Sequence, residues 1–429
     1  MPVPNRRKDQ DRRRSTGVDS DILSKGIGMC HFIEGKNVTL GVTGGIAAYK
    51  SIELLRLLTK AGAHVRVIMT ENACWFVGPG TFQALSGQPV CTSVFDEGDA
   101  AIRHIDWAQS TDLAVIAPAT ANCIGKLAGG IADDALSTYM LAVTAPVVVC
   151  PAMNTNMYQH PSVRRNLEIL RGYGHTLVDP DAGQLACGTV GPGRLPEPEF
   201  IMEKIAAVMA PDDFAGRTIL VTAGPTREAI DPVRFISNPS SGKMGFAIAR
   251  AARQRGATVI LVSGPVDLPD PVDVAVHRVI SAQEMHDCVL QLFGDADIVI
   301  KTAAVSDYRP SSPAAHKIKK SAAKMTLEVE KTRDILAEIG QQKGKRLVIG
   351  FAAETQDLKN NATQKLKAKN LDLIVGNVIG AEGSGFAGDT NRVTFFYPDR
   401  TAEPMDVMTK DKTAHCLLDR IAALKTTVS

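Results

Sequence analysis

Apolar residues are grouped along the chain in a repeated order of strand, turn and helix. The apolar run 36–42 predicts a strand, TGGIAAYK at 43–50 forms the turn after it, and 51–62 has apolar positions at helical spacing. A helix between two neighbouring strands requires a right-handed crossover and therefore a parallel sheet. Further strands are predicted at 64–70, 112–117 and 145–150.

The same order starts again near residue 217. Strands are predicted at 217–222, 257–264, 297–301, 346–350 and 371–375, with a helix at 246–257. Pro, Gly and two Asp in 210–216 (APDDFAG) are typical of a linker. The pattern predicts an α/β protein with two doubly wound parallel-sheet domains at 35–209 and 217–429, so ligands are expected beyond the carboxyl ends of the strands.

Composition changes this picture mainly at the amino terminus. The 429 residues are 45% apolar and 22% charged, which suits two soluble domains. Seven Lys or Arg and four Asp in 1–29 predict a flexible basic extension over 1–34 rather than a nucleic-acid or membrane segment. The sequence shows neither a secretory signal nor a run of about 18 apolar residues. Eight cysteines without a CxxC pair favour a reducing cytoplasm and indicate no zinc site.

A turn with two glycines follows the first strand. Gly44 and Gly45 allow the backbone to approach an anion at the amino end of the next helix, although a tight strand-to-helix turn would use the same residues. The turn is not GxGxxG, and Thr70 stands where a dinucleotide site would place a ribose-binding carboxylate. The favoured ligand is therefore a mononucleotide phosphate.

Two later segments of the first domain carry polar side chains among small residues. The segment 117–134 (APATANCIGKLAGGIADD) suits a ring edge or a phosphate, with helix capping by Thr120 or Asn122 as the alternative. Cys187 lies in a Gly- and Pro-rich run with Arg194. This run favours a mobile flap that carries a thiol and a group for a phosphate or carboxylate.

Polar loops also follow the strands of the second domain. The segment 223–245 contains AGPTRE and DPVRFISNPSSGKMG, and its length and donors, Arg234 and Asn238 among them, favour a ligand loop over a capped helix. A P-loop is excluded because Met244 follows Lys243. Asp307 follows another strand and is a candidate for a ribose, a base edge or a metal. The runs KIKK (317–320) and QKLKAK (364–369) could each be a solvated face, but separate basic clusters in one domain favour a polyphosphate.

The motifs TGGIAAYK, PAMNTNM (151–157) and ACGTVGPGRL (186–195), with His104, resemble the flavin-dependent cysteine decarboxylase family. A lone His104 would more often be structural. With the second domain, the chain from about residue 36 resembles the bacterial bifunctional phosphopantothenoylcysteine decarboxylase/phosphopantothenate–cysteine ligase family of coenzyme A biosynthesis. The resemblance implies a flavodoxin-like flavin domain at 35–209 and a Rossmann-like nucleotide domain at 217–429.

For the first domain the resemblance implies FMN, which oxidises the thiol side of the substrate to a thioaldehyde so that CO₂ can leave. Hydride return and protonation then give the saturated thiol. In this comparison His104 is the acid/base residue, Asn154 holds the substrate carboxylate or amide, and Cys187 is the proton donor. The implied cofactor-binding residues are Gly44, Gly45, Ile46, Thr70, Ala119, Thr120 and Asn122, and the substrate-binding ones are Met153 and Arg194.

For the second domain the resemblance implies activation of 4′-phosphopantothenate by CTP, with Mg²⁺, to an acyl-cytidylate that the cysteine amine attacks. Asn238 would contact the acyl group, and Lys317 would neutralise phosphate charge. No metal ligand is assigned. The implied residues of the CTP site are Ala303, Asp307, Lys331, Thr332, Arg333, Asp334, Phe351, Lys365 and Lys369.

The sequence is therefore interpreted as a cytoplasmic bifunctional enzyme with small-molecule substrates and no nucleic-acid or membrane partner. Family resemblance further implies a homo-oligomer, a dodecamer built from trimers and dimers. Three alternatives remain: an NAD-dependent oxidoreductase, a regulatory protein on an inactive flavin domain, and a peptide-cysteine decarboxylase. The missing dinucleotide fingerprint argues against the oxidoreductase. The presence of His104, Asn154 and Cys187 argues against the regulatory protein, and the complete second domain argues against the peptide-cysteine decarboxylase.

Overall fold

The computed structural model describes residues 31–94, 100–185, 188–319, 325–354, 356–378 and 388–426. Within them the chain forms two α/β domains, each with a mainly parallel sheet between layers of helices. The fold class predicted from the sequence is confirmed. In this described part, no helix is long and apolar enough to cross a membrane.

The first domain is a doubly wound sheet followed by a β-hairpin. Its strands are β1 (Asn37–Val42), β2 (His64–Met69), β3 (Val90–Cys91), β4 (Leu113–Ala119), β5 (Val147–Pro151), β6 (Thr176–Leu177), β7 (Asp181–Gln184) and β8 (Val190–Arg194). Its helices are α1 (Ala48–Lys60), α2 (Glu71–Cys74), α3 (Pro79–Ser86), α4 (Ala100–Ser110), α5 (Ala121–Gly129), α6 (Ala135–Ala142), α7 (Thr155–Gln159), α8 (Pro161–Gly172) and α9 (Pro198–Met209).

Six parallel strands of this domain lie in the order β3-β2-β1-β4-β5-β6, and β7 pairs antiparallel with β8. Helices cover both faces of the sheet, so its strands are nearly continuous apolar runs. Leu54 of α1 and Ile205 of α9 belong to one core, and Ile124 of α5 and Leu167 of α8 belong to the other. The strand order reverses between β1 and β4, which opens a crevice at their carboxyl ends.

The second domain repeats this architecture with an antiparallel edge. Its strands are β9 (Thr218–Ala223), β10 (Arg227–Ala229), β11 (Phe235–Ser237), β12 (Thr258–Ser263), β13 (Ala275–Arg278), β14 (Ile298–Lys301), β15 (Tyr308–Pro310), β16 (Val329–Lys331), β17 (Leu347–Glu354), β18 (Leu373–Val378), β19 (Thr390–Asn391), β20 (Val393–Phe396), β21 (Ala402–Pro404) and β22 (Met408–Thr409). Its helices are α10 (Lys243–Gln254), α11 (Ala282–Phe293), α12 (Ile335–Gln341), α13 (Leu358–Ala368) and α14 (Lys410–Thr426).

The main sheet of this domain has the order β13-β12-β9-β14-β17-β18-β20-β21, with β20 and β21 antiparallel. The sequence did not predict this antiparallel edge. The order reverses between β9 and β14, so the loops that follow these strands lie beside the second crevice. Short hairpins β10–β11 and β15–β16 are built from those same loops.

Two segments that the sequence placed outside the domains are packed in the structure. Ile33 of the predicted extension is fully buried in the first core, and Phe32 packs edge-on against His415 of α14 with ring centroids 4.8 Å apart. Phe214 of the predicted linker is fully buried in a core of the second domain. The packed chain therefore starts by residue 31 rather than 35, and the rest of the predicted extension lies outside the described residues.

Candidate functional site

A cavity of about 960 Å³ lies at the carboxyl ends of β1, β4 and β5, beside the reversal of strand order. Its size is typical of small-molecule and cofactor sites, which span about 300–1,000 Å³. Ala119 is fully buried, its carbonyl accepts the N–H of Ala152, and it is absent from the cavity lining, so its role at a cofactor stays a prediction. Most other predicted residues of this domain line the cavity: Gly44, Gly45, Ile46, Thr70, Thr120, Asn122, Met153, Asn154 and Arg194.

The turn between β1 and α1 forms one wall of the cavity. A Cβ added at Gly44 would lie 2.8 Å from the backbone carbonyl carbon of Asn72, so glycine is what allows these two loops to approach so closely. Ala47, at the start of α1, offers no side-chain cap. In the first turn the N–H of Ala48 donates to the Gly45 carbonyl and that of Lys50 to the Ala47 carbonyl, both at 3.0 Å. The amino end of α1 therefore favours a phosphate at the cavity mainly through the positive end of the helix dipole.

Hydroxyl groups fix the loop after β4. The Thr43 hydroxyl donates to the Pro118 carbonyl at 2.7 Å and accepts the N–H of Thr120 at 3.0 Å. The Thr120 hydroxyl accepts the N–H of Cys123 at 3.4 Å and caps α5. The capping alternative is thus confirmed for Thr120, and the same residue lines the cavity.

The hairpin β7–β8 packs against the PAMNTNM loop. The N–H of Met153 donates to the Gly193 carbonyl at 2.9 Å, and a Cβ at Gly193 would collide with the Met153 carbonyl oxygen. The Asn154 side chain donates to the Thr189 hydroxyl at 3.4 Å and accepts the N–H of Asn156 at 2.8 Å. Asn154 therefore connects this loop to the predicted flap.

An ion-pair network anchors the base of the flap. Lys50, which is 8% exposed, donates to the Leu195 carbonyl and to the Glu197 carboxylate, both at 2.9 Å. Arg194 donates to the same carboxylate at 3.0 Å. The hydrogen bond from Lys50 is the main cause that lowers the pKa of Glu197. These contacts fix Arg194 at the cavity wall.

Charged residues that the sequence reasoning left without a role also line the cavity. Lys126 pairs with Asp133 at 2.6 Å and with Asp134 at 2.7 Å, and these two carboxylates raise the pKa of Lys126. Burial raises the pKa of the neighbouring Cys123 thiol to about 12, so that thiol stays protonated. The three charges come together only because α5 ends and the chain turns back, a contact that no periodic pattern reveals.

Two predicted catalytic residues fall where side chains are not described. His104 lies in α4, but its side chain is outside the described part of the structure. Cys187 lies between the described residues Leu185 and Gly188. The roles of both residues stay predictions.

Several of the predicted nucleotide residues of the second domain meet near the carboxyl end of β14. Lys369 pairs with Asp334 at 2.8 Å. The N–H of Thr332 donates to the Asp307 carbonyl at 3.0 Å, and its hydroxyl donates to the Ser306 carbonyl at 2.6 Å. These contacts join the loops after β14, β16 and α13, so residues distant in sequence form one cluster.

Lys301, the last residue of β14, lies within this cluster and had no role in the sequence reasoning. Burial and then the charge of Lys369 lower its pKa to about 8, while Asp334 and Asp307 oppose the shift. Its Nζ lies 3.5 Å from the carbonyl of Ala303. In the sequence, this lysine ends the apolar strand DIVIK and so lies at the edge of the sheet where ligands bind. That position could have identified Lys301 as a candidate site residue.

Asn238 reaches the same loop from the polar segment after β11. Its side-chain nitrogen donates to the carbonyls of Ala304 and Val305, both at 3.1 Å, next to the buried Ala303. Lys365 pairs with Glu354 at the end of β17 at 2.6 Å. The structure thus brings Asn238 and the loop of Ala303 together.

The remaining predicted residues of the second domain are more peripheral. Phe351 of β17 is partly buried against the core. Lys331, Arg333 and Lys317 are exposed. Among the described residues, no group of three or more His, Cys, Asp or Glu side chains has the arrangement of a metal site. Mg²⁺ ligands therefore stay unassigned.

Comparison with known proteins gives matches to both domains. The Flavoprotein family model matches residues 31–210, and the model of the DNA/pantothenate metabolism flavoprotein C-terminal domain matches residues 214–424. The coenzyme A biosynthesis bifunctional protein CoaBC of Bacillus subtilis (strain 168) is 52% identical over 397 residues, which are 91% of this chain and 98% of the relative. The protein of the same name from Escherichia coli (strain K12) is 46% identical over 395 residues, 91% of this chain and 97% of the relative.

Among solved structures, the C-terminal domain of a coenzyme A biosynthesis bifunctional protein CoaBC is 44% identical to this chain, with a TM-score of 0.44. The match covers 50% of this chain and 99% of that one. The matches to the Bacillus subtilis and Escherichia coli proteins each extend over 91% of this chain and therefore over both domains. The chain belongs to the family of bifunctional coenzyme A biosynthesis enzymes, flavoproteins that combine a decarboxylase domain and a ligase domain.

Proposed function

We propose that this chain makes 4′-phosphopantetheine from 4′-phosphopantothenate and cysteine, with FMN bound in the first domain and CTP consumed in the second. The observation that carries the proposal is the cavity where the uncapped end of α1, the Asn154 loop and the base of the flap converge. A flavin mononucleotide requires an anion site and space for a planar ring. The α1 end and the cavity volume fit both requirements.

In the decarboxylase domain, bound FMN supplies an electron sink for the thiol side of phosphopantothenoylcysteine and returns the electrons after CO₂ has left. Asn154 orients the substrate carboxylate or amide beside the flap, and Arg194 offers a fixed positive charge to an anionic part of the substrate. His104 moves a proton near the thiol. Cys187 donates the proton needed when the enethiol is reduced.

In the ligase domain, a carboxylate oxygen of 4′-phosphopantothenate attacks the α-phosphorus of CTP, and pyrophosphate leaves. The cysteine amine then attacks the acyl carbon of the acyl-cytidylate, and CMP leaves. Lys301, Lys365 and Lys369 provide positive charge for the triphosphate, which Mg²⁺ accompanies. Lys317 offsets charge that develops at the α-phosphate, and Asn238 contacts the acyl group.

The enzyme acts in the cytoplasm as a homo-oligomer in this proposal, with a dodecamer as the expected assembly. Ile46 and Tyr49, which line the cavity, are 64% and 57% exposed, and Trp75, just after α2, is 84% exposed. Exposed large apolar side chains support a face that another protein copy covers. No nucleic acid or membrane enters the proposed reaction.

Variants that separate the two half-reactions test the proposal. We expect Asn154→Asp to lose decarboxylation of supplied phosphopantothenoylcysteine and keep ligation, because a second carboxylate would repel that of the substrate. Lys317→Gln should slow acyl-cytidylate formation by about 10²–10³-fold and keep decarboxylation. Mass spectrometry follows each half-reaction separately: the decarboxylated product reports the first domain, and CMP reports the second.

Matched controls are available in each domain. Asn156, exposed two residues after Asn154, takes the same change to Asp, and the exposed Lys345, at the amino end of β17, takes the change to Gln. Both control variants should retain both half-reactions. Loss of the two half-reactions together in either test variant, with the controls intact, would contradict the assignment of one reaction to each domain.

A further inference from the structure

A single buried carboxylate organises the loop that carries Lys317. The side chain of Asp231 is fully buried, whereas that of its partner Arg234 is 41% exposed. One carboxylate oxygen accepts the N–H groups of Val233 at 2.8 Å and Arg234 at 2.9 Å. The other accepts Nε of Arg234 at 3.0 Å, a second guanidinium nitrogen of Arg234, and the N–H of Ile318 at 3.1 Å.

Ile318 is held at both of its backbone polar groups. Its N–H donates to Asp231, and its carbonyl accepts from the Arg234 guanidinium at 2.9 Å. The residues are 84 and 87 positions apart in sequence, so the contact ties two separate loops together. A further backbone bond, from the N–H of Ala314 to the carbonyl of Ile230 at 2.9 Å, runs in parallel. Lys317 is the residue directly before Ile318 in the chain.

The chemistry of Asp231 suits a fixed anchor. Five donors converge on its two oxygens, and the Arg234 hydrogen bond is the main cause that lowers its pKa, so the group is ionised at neutral pH. An ionised carboxylate accepts hydrogen bonds only, and it stays paired with Arg234 because an unpaired buried charge is costly. The hydrogen bonds of Asp231 and Arg234 therefore fix the backbone of Ile318, while the Lys317 side chain stays exposed.

We propose that Asp231 is a positioning residue of the ligase reaction: through Arg234 and the backbone of Ile318 it holds Lys317 where the α-phosphate is attacked. This inference rests on the role of Lys317 in the proposed function. Asp231 touches neither nucleotide nor acyl substrate in this account. Its effect on the reaction passes through Lys317.

A double-mutant cycle tests this directly. In Asp231→Asn the charge is lost and one acceptor oxygen becomes an NH₂ group that faces N–H donors, which weakens the hydrogen bonds that hold Arg234 and Ile318. We expect the kcat of acyl-cytidylate formation to fall roughly 10- to 100-fold, with KM for CTP changed less than about twofold, since misplacement of a catalytic group affects turnover. Asp231→Asn combined with Lys317→Gln should be no slower than Lys317→Gln alone, because the two changes remove the same contribution.

Multiplied losses in the double variant would overturn the proposal, because Asp231 would then affect the reaction independently of Lys317, for example through general stability. An unchanged rate in Lys317→Gln would overturn the role of Lys317 itself, which distinguishes failure of the proposed function from failure of this inference. Asp231→Glu provides a second variant that keeps the charge but displaces Ile318, and it should show the same non-additivity.

Asp297→Asn is the matched control. Asp297 also accepts a backbone N–H, that of Thr218 at 2.8 Å, and the guanidinium of Arg217 at 3.2 Å, but it precedes β14 at the amino end of the sheet. Its substitution should lower the thermal unfolding temperature without changing the ligase kcat of the folded enzyme. An equal kcat loss in this control would show that the effect of Asp231→Asn is structural and would overturn the inference.

Discussion

The two crevices occur at equivalent places in two similar sheets, yet they are built in different ways. In the first domain, hydroxyls and amides line a cavity whose basic residues, Lys126 and Arg194 among them, are already paired with carboxylates, and the strongest constraints are close approaches such as that of Gly44 to Asn72. In the second, Lys301, Lys369 and Asp334 form a charged cluster. A neutral ring is recognised through shape, whereas a triphosphate is recognised through charge.

This difference predicts that the two sites respond to different perturbations. A change in shape should affect the flavin site most, because a packed wall relaxes only partly around an added group. A change in charge or pH should affect the nucleotide site most. A substitution of the reacting group on the flap should have a larger effect than either of these changes, because it removes a reacting group rather than a contact.

The largest expected effect is that of Cys187→Ser. A serine hydroxyl has a much higher pKa than a thiol, so reduction of the enethiol should slow by about 10²–10⁴-fold, and the enethiol should accumulate. Ligation should be unaffected. Mass spectrometry of the product mixture provides the measurement, and normal output of 4′-phosphopantetheine from this variant would remove Cys187 from the reaction.

Gly44→Ala should have the next largest effect. The added Cβ overlaps the backbone of Asn72, and such overpacking costs about 1–3 kcal/mol, which we expect to appear as weaker flavin binding. The measurement is the yellow absorbance retained per protein after dialysis. Gly80→Ala is the control, because a Cβ at that exposed helical position meets nothing within 4 Å. Equal flavin retention in the two variants would show that shape does not control the first site.

The smallest expected effect concerns pH at the second site. Lys301 is charged below its pKa of about 8 and neutral above it, so its attraction for the triphosphate is lost as the pH rises through that value. We expect KM for CTP to rise about tenfold between neutral and alkaline pH, the size of one charged hydrogen bond. Lys301→Met should have the raised KM throughout and a flat profile. A variant that keeps the full pH dependence would show that another group causes it.

Much of the fold followed from the sequence because buried parallel strands are apolar along their whole length. The predicted strand 36–42 differs from β1 by one residue, and the prediction 217–222 differs from β9 by one residue at each end. Packing of Ile33 did not follow, because the chain before β1 has no periodic pattern. Nor did the antiparallel edge strand β20, whose direction depends on a connection that local pattern does not specify.

The sites were predictable where a side chain follows a strand and less so where a contact crosses the domain. Gly44, Asn154 and Asp307 lie in loops whose composition differs from that of a core. The hydrogen bond between Asp231 and Ile318 joins residues 87 positions apart, and the pairing of Lys126 with Asp133 depends on how the chain turns after α5. Burial also decides the pKa of Lys301, and burial at a single position is a tertiary property that local sequence does not give.

The most direct test of the account is to mix the purified protein with 4′-phosphopantothenate, cysteine, CTP and Mg²⁺ and to follow all products by mass spectrometry. The account predicts 4′-phosphopantetheine, CMP, pyrophosphate and CO₂ from this one chain. Accumulation of phosphopantothenoylcysteine would contradict the flavin half, and absence of any turnover would contradict the assignment of both reactions to these two crevices.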